Sequence, residues 1–336
     1  MNEMMRAAVI TAYGPAENLQ IAEVLKPEPG PKDVLVRVVA SSVNPVDVKQ
    51  RAGSQRVVVP KVMPAILGMD VSGVVEAVGA EVTKFTPGDL VWSSPSHKRP
   101  GTWAEYVVID ESEVGLKPES LDHEQAASLP LVALTAWECL VEGPGVKEGD
   151  KVLIQAGSGG VGTAAIQIAK YLNAEVATTC SGRNEELVRS LGADTVVDYT
   201  KQNYWEVLPP QDHVLESIGP SMWSHTMAVL RRGGHMASIT TGLPGYVKRW
   251  GPYLGVARTG WAMFSSTVVG RLRGLTVRHV LRDASGDKLD RLAAMVAEGA
   301  LKPVVEEVIP LANIAEANRR VESGRTRGKI VVRVSQ

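Results

Sequence analysis

The apolar positions change their period about a third of the way along the chain. Ahead of that point, short β-branched runs recur: "DVLVRVVAS", "DVSGVVEAVG", "GDLVW" and "AEYVVID". Clusters of turn formers, such as "KPEPGPKD" and "TPGD", separate them. Runs this short, punctuated this way, predict a compact antiparallel or barrel-like β domain. From about Leu121 the rhythm lengthens. The stretch "DHEQAASLPLVALTAWECLVE" predicts a helix, with Asp122 as N-cap and Glu124 and Gln125 in the first turn. Strands are then expected at "KVLIQ", "EVATTC", "TVVDY", "HVLES" and "HMASI", with helices between them, including 161–172 and 185–191. Such alternation means βαβ units on a parallel sheet, which "LTVRHV" would close. The tail "KPVVEEVIPLANIAEANRRVESGRTRGKIVVRV" returns to β–α–β and is expected to pack on the first domain. The predicted class is α/β. A β-rich domain spans 1–125, completed by 281–336, and a doubly wound parallel-sheet domain spans 126–280.

One strand–turn–helix carries chemistry. In "VLIQAGSGGVGTAAIQIAK", Gly157, Gly159 and Gly162 fit G-x-G-x-x-G. A strand runs into the turn and an amphipathic helix leaves it. In that setting one glycine permits the tight turn, one lets a pyrophosphate approach the backbone, and one lets helix and strand pack closely. The helix N-terminus supplies N–H groups and a positive dipole end. A plain glycine-rich βα turn would meet the spacing alone. An NAD-type site would place Asp or Glu at the end of the second strand. Here that strand ends in Thr179, Cys180 and Ser181, with Arg183 next but one. A hydroxyl and a guanidinium suit a 2′-phosphate, and Tyr199 is a third candidate for it. NADPH is therefore the expected cofactor, the alternative being that Arg183 is a solvated loop residue.

Composition narrows the rest. The 336 residues carry a net charge of −1, 44% hydrophobic and 22% charged residues. Over the whole chain this leaves no electrostatic footprint for nucleic acid or an anionic membrane. No apolar run is long enough for a membrane span. "MNEMMRAAVI" lacks the layout of a signal or transit peptide. Cys139 and Cys180 lie far apart and form no disulfide framework, so a reducing, cytoplasmic setting is expected. No Tyr-x-x-x-Lys, G-x-S-x-G or H-E-x-x-H occurs, and the six histidines are scattered.

The motifs "SSVNPVDVKQRAG", "LGMDVSGVVEAVG", "KFTPGDLVW", "GTWAEYVV", "QAASLPLVALTAWECL", "AGSGGVGTAAIQIAK", "SLGADTVVDY" and "GRTRGKIVV" span nearly the whole chain. Together they resemble the medium-chain dehydrogenase/reductase family, in its zinc-free quinone-oxidoreductase branch. The resemblance implies a GroES-like β-rich catalytic domain followed by a Rossmann cofactor domain. Zinc-dependent members carry a cysteine where Asn44 stands and Gly-His-Glu where Gly68, Met69 and Asp70 stand, so no metal is expected. The resemblance also implies Asn44 and Thr135 beside the nicotinamide, and Ser158, Gly159, Gly160 and Val161 on the pyrophosphate. It implies Ser181, Arg183 and Tyr199 on the adenosine phosphate, Ile239 and Thr241 beyond the fifth strand, and Leu281 on the nicotinamide wall. Asn44 and Asp47 are the catalytic candidates. Each has a plainer reading: Asn44 as a turn residue before Pro45, Asp47 as a helix cap.

The expected activity is NADPH-dependent, zinc-independent hydride transfer to a quinone or α,β-unsaturated carbonyl, in a homodimer. Two alternatives stay open: an NADPH-binding sensor or assembly protein without turnover, and an enoyl reductase tailoring a natural product. The segment "PGYVKRWGPYLGVARTGWAMFSSTVVGRLRG" holds Tyr246, Trp250, Tyr253, Trp261 and Phe264 in a chain with 5% aromatics. It is read as a substrate lid or pocket wall, a buried structural helix, or a subunit contact.

Overall fold

The computed structural model describes residues 3–97 and 99–335. The chain divides into two compact units, Met1–Leu134 with Asp283–Gln336, and Thr135–Arg282.

The first unit is β-rich. Strands β1 (Met4–Ile10), β2 (Leu19–Leu25) and β4 (Ala65–Ile66) form a small sheet in the order β2-β1-β4. The larger sheet is built around β3 (Asp33–Val43), eleven residues long. Its other strands are β5 (Val71–Val78), β6 (Leu90–Ser93), β7 (Tyr106–Asp110), β8 (Val114–Leu116), β15 (Val305–Pro310) and β16 (Lys329–Arg333). The tail thus joins this sheet: β16 pairs antiparallel with β3 and parallel with β15. Val34, Val36, Val38, Val107, Ile109, Ile330 and Val332 meet in the core, so β3 is buried where its neighbours cover it. Helices α1 (Pro45–Arg51), α2 (His123–Ala127), α10 (Gly286–Ala297) and α11 (Ile314–Glu322) complete this unit.

The single helix expected after Leu121 is two, α2 and α3 (Pro130–Leu140). Pro130 has no N–H to continue the ladder and disfavours helical geometry at Leu129, so the chain restarts there. The cap is as read: Asp122 accepts from Gln125 N at 2.7 Å, and Gln125 Oε1 accepts from Asp122 N at 3.2 Å.

The second unit is a parallel sheet of β9 (Lys151–Ile154), β10 (Glu175–Cys180), β11 (Thr195–Asp198), β12 (Gln211–Glu216), β13 (Leu230–Ser238) and β14 (Thr276–His279). Their order is β11-β10-β9-β12-β13-β14, all pairs parallel. Helices α4 (Gly160–Tyr171), α5 (Glu185–Ser190), α6 (Tyr204–Val207), α7 (Trp223–Val229), α8 (Leu243–Trp250) and α9 (Pro252–Leu272) connect the strands. The order reverses between β9 and β12. In a doubly wound sheet, the crevice beyond the carboxyl ends of the strands at that reversal is where ligands bind. Val152, Leu153 and Ile154 are fully buried, as are Ile166 and Ile168 on α4, which pins the turn between β9 and α4 to the core.

Candidate functional site

The turn that follows β9 is held in an uncommon shape. Ala156 has φ 52°, left-handed for a residue with a Cβ. Two bonds from the end of β10 fix it: Ala156 N donates to Thr179 Oγ1 at 3.0 Å, and Gly157 N to Thr179 O at 2.9 Å. Backbone held in such regions concentrates at functional sites. The three glycines then separate by cause. A Cβ on Gly157 would lie 2.0 Å from Thr178 Oγ1, and one on Gly162 would lie 2.4 Å from Ala156 O. Packing within the protein dictates both. A Cβ on Gly159 would meet only Ala156 O, at 3.4 Å, an ordinary contact. Its backbone, φ −82° and ψ 169°, is open to any residue. The protein itself does not require glycine at 159, so the space there fits a group from outside the chain. Gly160 and Val161 open α4, where helix geometry leaves N–H groups without intrahelical acceptors and a positive dipole end. A pyrophosphate matches that chemistry.

The neighbouring end of β10 is tied to this turn by a residue outside the glycine motif. Asn184 is buried, and its Nδ2 donates to Ser158 Oγ at 3.0 Å and to Ser181 Oγ at 3.4 Å. In "SGRNEE" an asparagine ahead of two acids reads as an N-cap. Its side chain makes no capping bond to α5. It bridges the two serines instead. Arg183 is exposed beside them, and Tyr199, 63% exposed, donates its backbone N–H to Cys180 O at 3.2 Å. Burial pushes the Cys180 thiol up to about 11, so it sets no thiolate against an incoming phosphate. Asp198, at the end of the neighbouring strand, accepts from Thr200 N and Oγ1 at 3.0 and 2.7 Å and pairs with Lys201 at 3.5 Å.

Across the reversal, a second unforeseen residue organises the ends of β12 and β13. Glu216 is buried and accepts from Ile218 N at 2.8 Å, Trp223 Nε1 at 3.0 Å, Ser238 Oγ at 2.6 Å and Thr240 Oγ1 at 3.0 Å. Ile239 is held by its N–H to Glu216 O at 3.0 Å, and Thr241 Oγ1 accepts from Leu243 N at 3.4 Å. Leu281, beyond β14, is 82% exposed. Thr135 is buried on α3.

Asn44 and Asp47 lie in the first unit, in a buried polar cluster that strand register assembles. Ser41 faces Val71 and Val43 faces Ile330, which brings Asp70 beside Ser42 and Lys329 beside Asn44. Lys329 Nζ donates to Asn44 Oδ1 at 2.5 Å and lies 3.3 Å from Asp70 Oδ2. Asn44 Nδ2 donates to Asp70 Oδ2 at 2.8 Å. Ser42 Oγ at 2.6 Å and Leu131 N at 2.7 Å also donate to Asp70. Both ends of the Asn44 amide are therefore engaged within the protein. Asp47 Oδ2 accepts from Asn44 N at 2.8 Å across the first turn of α1, while its buried Oδ1 has no partner among the described residues. Burial pushes the Asp47 carboxyl up to about 7. Met69 Sδ accepts from Gln50 Nε2 at 3.7 Å. Among the described residues, no three His, Cys, Asp or Glu side chains gather as metal ligands.

Comparison with known proteins matches this architecture on both units. Residues 30–119 match the alcohol dehydrogenase GroES-like domain model, and 191–332 match the zinc-binding dehydrogenase model. The chain is 37% identical to the mitochondrial NAD(P)H oxidoreductase RTN4IP1 of Bos taurus, over 98% of this chain and 89% of that one. It is 33% identical to the chloroplastic NADPH-dependent alkenal/one oxidoreductase of Arabidopsis thaliana, over 98% and 79%. Among solved structures, the quinone oxidoreductase from Coxiella burnetii superposes with a TM-score of 0.85 at 29% identity, covering 99% of this chain and all of that one. Among the described residues no helix is long and apolar enough to cross a membrane. With a GroES-like unit, a parallel-sheet unit bearing the glycine turn, and relatives of this identity over nearly its full length, the chain belongs to the medium-chain dehydrogenase/reductase family and is an oxidoreductase.

Proposed function

We propose that this protein is an NADPH-dependent, metal-independent reductase of quinones or α,β-unsaturated carbonyls. The observation that carries the cofactor half is Gly159, the glycine of the G-x-G-x-x-G set that packing within the protein does not dictate. The backbone of Ser158, Gly159, Gly160 and Val161 would hold the pyrophosphate against the start of α4. Ser181 and Arg183 would hold the adenosine 2′-phosphate, with Tyr199 beside them, where an NAD-type site would offer a carboxylate. Asn184 keeps the two serines in register with each other. Glu216 orders the backbone that carries Ile239 and Thr241. A bound nicotinamide would supply the hydride.

The acceptor half rests on chemistry. Reversible oxidation of a simple alcohol needs an alkoxide stabilised, and zinc does this by Lewis acidity. In the first unit the corresponding donors are an amide, a thioether and Asp70, whose oxygens already take Ser42, Asn44, Lys329 and Leu131. The Lys329 ammonium fills the role of local cation. A thioether and an amide are poor zinc ligands, and we read this cluster as metal-free. A conjugated acceptor delocalises its own developing charge and does without that help. Asp47 would hold a proton at Oδ1 below about pH 7 and release it above. The relatives named as quinone and alkenal/one oxidoreductases act on acceptors of this type.

The test is NADPH oxidation across quinones, enones, enals and enoyl thioesters, together with binding by Arg183→Ala. Turnover is expected on the quinones or enones. Arg183→Ala is expected to weaken NADPH by one to two decades, since a charge-assisted hydrogen bond contributes about 1.5–3 kcal/mol, and to leave NADH nearly unchanged. Equal affinity of the parent for NADPH and NADH would sink the 2′-phosphate assignment. Tight NADPH binding with no turnover on any acceptor would favour a binding protein instead.

A further inference from the structure

The helical hairpin α8–α9 is built inside out for a water-facing element. The buried stripe of α9 is Gly255, Thr259, Ala262, Ser266 and Gly270, small residues at helical spacing. Gly255 and Gly270 have to be small: a Cβ would lie 2.6 Å from the Val247 backbone in one case and 2.4 Å from Val277 in the other. The large apolar side chains face outward. Tyr253 is 78% exposed, Leu254 67%, Trp261 59%, Phe264 61% and Leu272 82%, with Val268 half-exposed between them. Trp261, Phe264, Val268 and Leu272 follow i+3 and i+4 steps and form one continuous stripe, and Tyr253 lies on the same side eight residues before Trp261. A surface helix normally shows the reverse. A contiguous apolar face of this kind marks an interaction surface.

Charge says what the face meets. From Leu243 to Gly274 the chain carries Lys248, Arg249, Arg258, Arg271 and Arg273 and no Asp or Glu, in a protein of net charge −1. All five are exposed. Arg249 lies 5.1 Å from the Trp250 ring, and Arg258 lies 5.9 Å from Tyr246 and 5.8 Å from Trp250. A groove of about 340 Å³ beside the stripe is lined by Trp223, Met227, Tyr246, Trp261, Arg258 and Arg273, and so is apolar with cationic members. A second copy seated on the same patch would set cations against cations, which an isologous contact disfavours. Exposed aliphatic and aromatic side chains edged by arginine and lysine match the headgroup–acyl boundary of an anionic bilayer, where tryptophan and tyrosine also settle.

We propose that α8–α9 docks this protein peripherally on membranes rich in anionic phospholipid. The surface lies on elements outside the glycine turn and does not depend on the assignment of substrate. It would bring a reductase to the phase in which lipophilic acceptors collect.

Flotation with vesicles tests this, using the full chain with phosphatidylcholine alone and with phosphatidylcholine and phosphatidylglycerol in equal parts. The parent should float with the mixed vesicles and not with phosphatidylcholine, and salt should weaken the association. Arg258→Gln/Arg271→Gln/Arg273→Gln should lower partitioning on the order of a hundred-fold, at about five-fold per basic residue near an anionic surface. Trp261→Glu/Phe264→Glu should abolish flotation while its melting temperature and NADPH binding match the parent. A parent that stays out of the mixed vesicles would overturn the proposal. So would flotation indifferent to both variants, or sedimentation showing that Trp261→Glu/Phe264→Glu separates a parent dimer, since a second copy would then own the face. NADPH turnover is read separately, so a protein that floats but reduces nothing leaves the docking intact and removes the reductase.

Discussion

Gly159→Ala should fold like the parent and lose its dinucleotide. Alanine adopts the φ and ψ of Gly159 without strain, and its Cβ meets only Ala156 O at 3.4 Å. The stability change is expected within about 1 kcal/mol, a small entropic gain set against a slightly poorer N-cap. Against a pyrophosphate the same methyl intrudes. Overpacking of about 1–3 kcal/mol predicts NADPH affinity lower by one to two decades. Gly157→Ala and Gly162→Ala should behave in the opposite way. Their methyls strike Thr178 and Ala156 O, so melting temperature falls first and binding fails with it. Calorimetric titration and thermal melts on the three variants separate the outcomes. A Gly159→Ala protein that binds NADPH as the parent does would show that nothing approaches that backbone.

Lys329→Met should destabilise the first unit by about 3–5 kcal/mol, because it strands the buried Asp70 carboxylate without its cation. It also frees Asn44 Oδ1, which now accepts from the ammonium. Asp70→Asn/Lys329→Met should recover much of the loss, since neither charge then remains to be paired. Urea denaturation of the two single variants and the double variant gives the coupling. A Lys329→Met protein within about 1 kcal/mol of the parent would mean that the ion pair is not what holds Asp70 inside.

How far the sequence could be read tracks the range of the forces involved. The strands of the parallel sheet and the longer strands of the first unit were legible because burial on a sheet writes β-branched runs directly into the chain, whereas the exposed β2 and the short β4 and β8 carry no such run. The glycine turn was legible because strand, turn and helix are contiguous. Pro130 split one predicted helix into two, a local veto that the apolar period across "SLPLVALTAW" concealed. Pairings at long range were not legible. Asp70 and Lys329 are 259 residues apart and meet only through the register of β3 with β5 and β16. Asn184 sits where a helix cap would sit, and its role as a bridge between Ser158 and Ser181 depends on β9 and β10 being neighbours. Glu216 reads as the last residue of an apolar strand until its donors from β13 and α7 are seen. The aromatic residues of α9 stood out in the sequence but its inward face did not, because small residues line the buried side. Whole-chain charge hid the basic segment by averaging it with acids elsewhere.

The central claim is hydride delivery from NADPH to a conjugated acceptor without a metal. It is tested most directly with NADPH deuterated at the nicotinamide C4, followed by mass spectrometry of the product. Deuterium is expected at the β-carbon of a reduced enone, or quinol formed in step with NADPH consumed, with chelators making no difference. Robust NADP⁺-dependent oxidation of ethanol or benzyl alcohol, abolished by chelators and accompanied by no activity on quinones or enones, would contradict it.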